Sequence, residues 1–248
     1  MRHRVAHRGY SAVAPENTLP AFAAALRGGA TIVEFDVRTT ADGVPVVIHD
    51  RTLERTTTGA GPVEQARFDE VRALDAGSWF AGAYAGVRVP SLAETVDLLA
   101  PADAELLLEI KPPATLEQVK AIVEQVAERD LLPRTIVQSF DPDVVYLAGE
   151  AAPEVRRGLL RLRLEPDTPA LAASLGVVYC NPSVAEVLGE PATPSPAESI
   201  LAELAGAGVE IMPWTANDPA QWPALAAAGV TGLITDRVAE LTGWSFAL

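Results

Sequence analysis

The stretch Thr-Ile-Val-Glu-Phe-Asp-Val at positions 31 to 37 sets two carboxylates, Glu34 and Asp36, at the end of an apolar run. Residues two apart on a strand face the same way, which puts their Cα atoms about 7 Å apart on one face. A buried strand is not stabilised by two like charges side by side. The arrangement calls for positive charge between them, and a hard divalent cation is the simplest source. Leu-Leu-Leu-Glu-Ile-Lys at 106 to 111 repeats the device, with Glu109 and Lys111 on one face of a second apolar strand. Three carboxylates, with no cysteine among them and no histidine pair at helical spacing, favour Mg²⁺ or Ca²⁺ over zinc. Arg8 and Lys111 would add positive charge around that cation, an arrangement suited to a phosphoryl group. His7 and His49, each closing an apolar segment, complete an acid and base pair able to cleave a phosphodiester near neutral pH.

These residues need elements that bring them to one place, and the pattern supplies them. Arg4 to His7 reads as a short strand ending in His7-Arg8-Gly9-Tyr10. In Ala-Pro-Glu-Asn-Thr-Leu-Pro, Asn17 or Thr18 can cap a helix over Ala21 to Arg27 that stops at Gly28-Gly29. The turn Ala41-Asp42-Gly43 leads into Val44 to Ile48, where Pro45 predicts a hairpin arm rather than a central strand. That arm folds His49 back towards Glu34 and Asp36. Residues 51 to 90 mix glycines with aromatics and lack a long periodic segment. They read as a compact insertion in which Trp79, Phe80 and Tyr84 pack it down or line a pocket, packing being the favoured role.

From Pro90 the alternation becomes regular. Strands are expected at 105–111, 135–140, 157–162, 177–181, 210–215 and 231–236. Helices are expected at 92–99, 116–129, 142–150, 168–175, 197–207, 219–228 and from Val238, with a loop at Pro191 to Pro196. With the strands at 4–7 and 31–37 this makes eight strands, each followed by a helix, which predicts a single (β/α)₈ TIM barrel over residues 1–248 with the 51–90 insertion at its mouth. In such a barrel the active site lies at the C-terminal ends of the strands. His7, Glu34, Asp36, Glu109, Lys111, Ser139, Asn181, Trp214 and Asp236 all fall there.

Whole-chain properties narrow the function. The 248 residues carry a net charge of −14 with 49% hydrophobic residues, which excludes nucleic acid and anionic membrane surfaces as general partners. An anionic substrate therefore needs a local positive site. A single cysteine, Cys180, permits no intrachain disulfide and no cysteine-built zinc site, and reads as a small buried hydrophobe. Charges at the start of Met-Arg-His-Arg-Val-Ala-His-Arg, and no apolar window of about 18 residues, lead to the expectation of a soluble cytoplasmic protein with no stable membrane association. Prolines and alanines dominate the outer helices, and the oligomeric state is not legible from them.

The ordered set His7-Arg8-Gly9, Glu16-Asn17-Thr18, Glu34-Phe35-Asp36-Val37, Asp42-Gly43, Val46 to Asp50, Glu109-Ile110-Lys111, Trp214-Thr215 and Thr235-Asp236 resembles the glycerophosphodiester phosphodiesterase family, from about residue 3 to residue 240. The resemblance implies a barrel of the phospholipase C-like phosphodiesterase type that hydrolyses a small glycerophosphodiester to glycerol 3-phosphate and an alcohol. It implies Glu34, Asp36 and Glu109 as ligands of a divalent metal, and His7 and His49 as the acid and base. Arg8, Lys111 and Trp214 would be substrate contacts, with Glu16 and Asn17 orienting the site from behind. One departure is Val238 after Asp236-Arg237, where the family often has proline; it lies outside the chemistry. A cyclic phosphate intermediate and direct attack by water both remain open. Two alternatives share these motifs: a related barrel acting on lysophospholipids, which needs an apolar rim that Trp79, Phe80 and Tyr84 could supply, and a silent barrel that only binds phosphorylated ligands.

Overall fold

The computed structural model describes residues 1–189 and 196–247, so the loop expected at 191–196 lies largely outside the described residues. Eight strands form the barrel wall: β1 (His3–Ala6), β2 (Ile32–Thr39), β4 (Glu105–Ile110), β5 (Thr135–Ser139), β6 (Arg156–Arg161), β7 (Tyr179–Pro182), β8 (Glu210–Ile211) and β9 (Gly232–Thr235). The ninth strand, β3 (Pro45–Val47), pairs antiparallel with β2 alone and stays off the wall, as expected from Pro45. The wall runs β8-β7-β6-β5-β4-β2-β1-β9, and all of its paired neighbours are parallel. Its ends meet through backbone hydrogen bonds from Thr231 to Ile211 at 2.9 Å and from Ile234 to Pro213 at 3.0 Å. This is the (β/α)₈ barrel that the repeating pattern predicts.

The expected strand at 210–215 forms a ladder over only Glu210–Ile211. Pro213 has no N–H to continue it, and hydrogen bonding resumes where the Trp214 N–H meets the Pro182 carbonyl at 3.0 Å. The short helix Val184–Leu188 was not expected from the sequence, because five residues are too few for helical periodicity to show.

Alternation along the strands decides what lines the lumen. Val33, Phe35, Val37, Leu106 and Leu108 point outward into the main core, which also takes in Phe22, Leu92 and Ile122 from the covering helices. Val5, Ile32, Leu107, Ile136, Tyr179, Met212 and Ile234 fill the barrel interior. The same period of two that buries Ile32 inside puts Glu34 and Asp36 above it on the inner face. Parallel register then sets Asp36 opposite Glu109.

The helix α1 (Leu19–Arg27) begins two residues earlier than the sequence suggests, with Thr18 at its N-cap and no side-chain cap. Thr18 Oγ1 donates instead to the Pro15 carbonyl at 2.6 Å, and Asn17 is drawn away to Asp36. Segment 51–90 holds one short α-helix, α2 (Phe68–Ala73), and two 3₁₀ turns, Val63–Gln65 and Gly82–Tyr84, around a small core of Leu53, Val63, Val71, Ala76 and Val89 that it shares with Val46 and Ile48. Trp79, Phe80 and Tyr84 stack edge to face, with ring centroids 5.7 and 5.6 Å apart. The Tyr84 hydroxyl donates to the Val13 carbonyl at 2.7 Å, so Tyr84 ties the segment to the loop after β1, while Trp79 Nε1 donates to the Ala76 carbonyl within the segment. Among the described residues no helix is long and apolar enough to cross a membrane.

Candidate active site

Three carboxylates converge at the C-terminal ends of β2 and β4: Glu34, Asp36 and Glu109 each offer an oxygen within 4.8 Å of the others. All three are buried. Asp36 holds most of the compensating partners. Lys111 Nζ lies 2.9 Å from its Oδ1, Arg8 Nε lies 3.4 Å from its Oδ2, and Asn17 Nδ2 donates to Oδ2 at 2.7 Å. Burial works against its charge, but Lys111 and Arg8 outweigh burial and hold its carboxyl well below the usual range. Lys111 also reaches Glu109 Oε1 at 2.5 Å. Even so, burial and the Asp36 charge push Glu109 up to about 7, and burial with the charges of Asp36 and Glu109 raises Glu34 well above its ordinary value. Two cations serve three crowded acids, and the donor set is all carboxylate oxygen. These residues fit a hard divalent cation.

The turn after β1 frames this cluster. Gly9 sits at φ +80°, and a Cβ there would lie 2.7 Å from the Ala21 backbone carbon, so the loop presses against α1 as only glycine allows. Arg8 (φ 56°) and Asn17 (φ 56°) are also left-handed, a conformation that costs a non-glycine residue roughly 1 kcal/mol or more. The site holds both residues there. The Arg8 N–H donates to Glu34 Oε2 at 2.7 Å and its Nη1 to Glu16 Oε1 at 2.8 Å. Asn17 grips Asp36 twice, because its Oδ1 also accepts from the Asp36 N–H at 3.1 Å.

Each site histidine has its own carboxylate. His7 Nδ1 is 2.6 Å from Asp236 Oδ1. Asp236 also accepts from Ser11 Oγ at 3.0 Å and Asn217 Nδ2 at 2.6 Å, and these contacts outweigh burial to hold it below its ordinary range. His49 Nδ1 is 2.7 Å from Asp50 Oδ1, and Arg38 Nε donates to the His49 carbonyl at 2.9 Å. Burial pushes the His49 imidazole below its ordinary value against the pull of Asp36. A carboxylate on Nδ1 assigns the proton there and leaves Nε2 for chemistry.

The far rim is different in kind. Trp214 Nε1 donates to the Asn181 carbonyl at 2.8 Å, and its ring meets Phe140 edge-on at 5.3 Å. Asn181 and Gln138 pair at 2.7 Å in the buried layer below. Arg8, Glu16, Asn17, Glu34, Asp36, Glu109 and Lys111 thus form one hydrogen-bonded and ion-paired group. His49 joins it through Asp50 and Arg55, His7 precedes Arg8 in the chain and pairs with Asp236 instead, and Trp214 lies on the far rim. Sequence reasoning passed over Asp236 as the partner of His7, Asn217 and Ser11 behind it, Arg38, and Arg55, which reaches Glu16 and Asp50. Asp236 alone carried a signal, a carboxylate closing the apolar run Leu233-Ile234-Thr235.

The model of the glycerophosphoryl diester phosphodiesterase family matches residues 7–240. The chain belongs to the glycerophosphoryl diester phosphodiesterase family. A glycerophosphodiester phosphodiesterase of Caldanaerobacter subterraneus subsp. tengcongensis is 35% identical over 243 residues, covering 94% of this chain and 93% of the relative. Among solved structures, a glycerophosphodiester phosphodiesterase from Agrobacterium tumefaciens superposes with a TM-score of 0.82 at 32% identity, over 96% of this chain and 98% of that one. A phosphodiesterase from Oleispira antarctica, solved with its product sn-glycerol-3-phosphate, gives a TM-score of 0.87 at 27% identity, over 96% and 94% of the two chains. As a member of the glycerophosphoryl diester phosphodiesterase family, the protein is a phosphoric diester hydrolase acting on glycerophosphodiesters.

Proposed function

We propose that the enzyme hydrolyses a small glycerophosphodiester to sn-glycerol 3-phosphate and an alcohol, using a divalent cation, Mg²⁺ or Ca²⁺, and the histidines 7 and 49. The observation that carries this reading is the pair of histidine–carboxylate couples beside a buried group of three acids that two cations leave under-compensated. Glu34, Asp36 and Glu109 hold the cation, with Asn17 and Glu16 fixing Asp36 and Arg8 from behind. When bound, such a cation would supply Lewis acidity for the phosphoryl transfer. Lys111 has three N–H donors and spends two on Asp36 and Glu109, so a third can reach the phosphate. Arg8 Nε is buried without a hydrogen bond and adds positive charge on the same side.

His7 Nε2 takes the proton of the attacking oxygen: a water gives glycerol 3-phosphate directly, whereas the neighbouring glycerol hydroxyl gives a cyclic phosphate that a water then opens, and in either route Asp236 stabilises the imidazolium that results. His49 Nε2 gives a proton to the leaving alcohol. The approach of an anionic phosphodiester offsets the burial that otherwise keeps His49 neutral. Phe140 and Trp214 supply an apolar wall against the carbon skeleton of the substrate. Residues 1–248 act as one domain, with 51–90 an insertion at the barrel mouth that shapes the alcohol site. The acidic chain, with its net charge of −14, supports action on a dissolved diester in the cytoplasm rather than at an anionic membrane.

The test is turnover of glycerophosphocholine before and after exhaustive chelation, with Mg²⁺ or Ca²⁺ added back. Full activity in the chelated enzyme defeats the metal assignment. The exposed Phe140, Leu162 and Trp79 favour a second reading, action on lysophospholipids, and preferential turnover of lysophosphatidylcholine would select it.

A further inference from the structure

Arg55 lies in the insertion, five residues beyond Asp50, and its side chain is 44% exposed. It nonetheless makes four hydrogen bonds to two carboxylates. Nε donates to Asp50 Oδ2 at 2.6 Å and Nη2 to Asp50 Oδ1 at 2.9 Å, while Nη1 and Nη2 donate to Glu16 Oε2 and Oε1, both at 2.8 Å. A surface ion pair is usually loose and contributes little. This one is a planar fork spanning two acids, a geometry that lysine cannot reproduce.

The backbone beneath it is anchored. Leu53 is buried in the core of the insertion, Thr56 and Thr57 are buried, and Thr57 donates twice to the Leu53 carbonyl, from N–H at 3.1 Å and Oγ1 at 2.6 Å. Glu16, the second acid, is held as well by Arg8, whose Nη1 donates to Oε1 at 2.8 Å. A single line of alternating charge therefore runs Arg8, Glu16, Arg55, Asp50, His49. At its far end both oxygens of Asp50 are occupied by Arg55, and Oδ1 faces His49 Nδ1 as an acceptor only. Asp50 is the immediate neighbour of His49 in sequence and 27% exposed, and among the described residues Arg55 and His49 alone hydrogen-bond its side chain. Arg55 does for His49 what Asn217 and Ser11 do for His7.

We propose that Arg55 is a positioning residue for the hydrolysis: by clamping Asp50 it holds His49 as the Nδ1–H tautomer with Nε2 turned to the substrate, and so ties the insertion to the catalytic histidine. The reasoning rests on the assignment of His49 above and holds whether His49 acts as acid or base. It also explains why a residue that bonds to none of the acids of the metal site is so fully engaged.

The test reads the imidazole directly. The chain has three histidines, so ¹⁵N correlation spectra of the Mg²⁺-saturated enzyme at pH 8 can be assigned with His49→Ala as reference. The parent should show His49 protonated on Nδ1. Arg55→Gln should convert it to a mixture of tautomers, with kcat on glycerophosphocholine falling about 10- to 100-fold and KM moving far less. If Arg55→Gln does not fold, as judged by circular dichroism, Arg55→Lys serves, since it keeps the charge and loses the fork. A His49 that lacks the Nδ1 proton in the parent, or keeps it in full in the variant, overturns the proposal whatever turnover does. A parent that turns over no glycerophosphodiester would instead strike the functional reading, because the tautomer is measured independently of activity.

Discussion

The two halves of the barrel mouth are built by the same repeating unit and share almost nothing chemically. On the half formed by β9, β1, β2 and β4, the inward residues at the strand ends are Asp236, His7, Glu34, Asp36 and Glu109, with Lys111 just beyond. On the half formed by β5 to β8 they are Gln138, Phe140, Leu162, Asn181 and Trp214. The first half concentrates charge because parallel register sets Asp36 directly beside Glu109. Such a group is destabilising by itself and is held by crossed ion pairs and two left-handed residues. The second half satisfies its polar atoms internally, through Asn181 with Gln138 and Trp214 with the Asn181 carbonyl. The fold provides eight equivalent strand ends, and the side chains divide them into a charged half and a neutral wall.

The division is broken most severely at the acids. Replacing Glu34, Asp36 or Glu109 by Ala should lower cation affinity and turnover together, by at least about 10³-fold in kcat/KM, since the lost charge stabilisation amounts to several kcal/mol. Calorimetric titration with Mg²⁺ alongside steady-state kinetics checks this. A variant that binds the cation as the parent does and still turns over would remove that acid from the metal site.

The two histidines separate by leaving group. An aliphatic alcohol needs a proton to depart, whereas p-nitrophenolate does not. His49→Ala should therefore lose about 10²- to 10⁴-fold on glycerophosphocholine and much less on a p-nitrophenyl glycerophosphodiester. His7→Ala should be damaged about equally on both. Rescue of His7→Ala by the activated substrate would exchange the two roles.

The clustering of the charged half was largely legible in the sequence, because its signals are local. Glu34 and Asp36 stand in an apolar run where a charge has no reason to be, and the same holds for Glu109 and Lys111. Periodicity gave the barrel for a similar reason, each strand and helix stating its own buried face. What escaped notice depends on contacts between distant segments. Nothing near Arg55 says that it will meet Glu16, 39 positions earlier, and Asn217 looks like any polar residue in a loop until it is found on Asp236. Asn17 illustrates the competition: as a helix cap it obeys a local rule, but the buried Asp36 carboxylate takes its side chain instead. Pro213 shows the reverse, a local feature that shortens β8 where alternation predicted a longer strand.

The cost of crowding the acids should appear in stability without any turnover. Glu34 and Glu109 are raised in the folded protein, so in the chelated state folding takes up protons as the pH falls through this range. Stability is thus greater near pH 5 and is lost as pH rises through about 7, the value to which Glu109 is pushed. For Glu109 the rise from 4.5 to about 7 is worth on the order of 3 kcal/mol. Differential scanning calorimetry of chelated protein should show Tm falling between pH 5 and pH 8, and added Mg²⁺ or Ca²⁺ should raise it more at pH 8. An equal gain at both values would mean that the acids are not compensated by the cation.

The smallest effect belongs to the neutral wall and decides whether that wall meets the substrate. Phe140 and Trp214 touch edge to face at 5.3 Å, a contact usually worth about 0.5–1.5 kcal/mol beyond burial. Phe140→Ala should weaken glycerol 3-phosphate binding by about 2- to 10-fold with little change in kcat, because a group that binds ground and transition states alike moves KM alone. Trp214→Phe should do less, since it keeps a ring against Phe140 while losing the bond to Asn181. Combining the two changes gives a cycle in Kd, and residues in contact should deviate from additivity. Strict additivity, with each single change within error of the parent, would assign the pair to packing of the rim and leave recognition to the charged half.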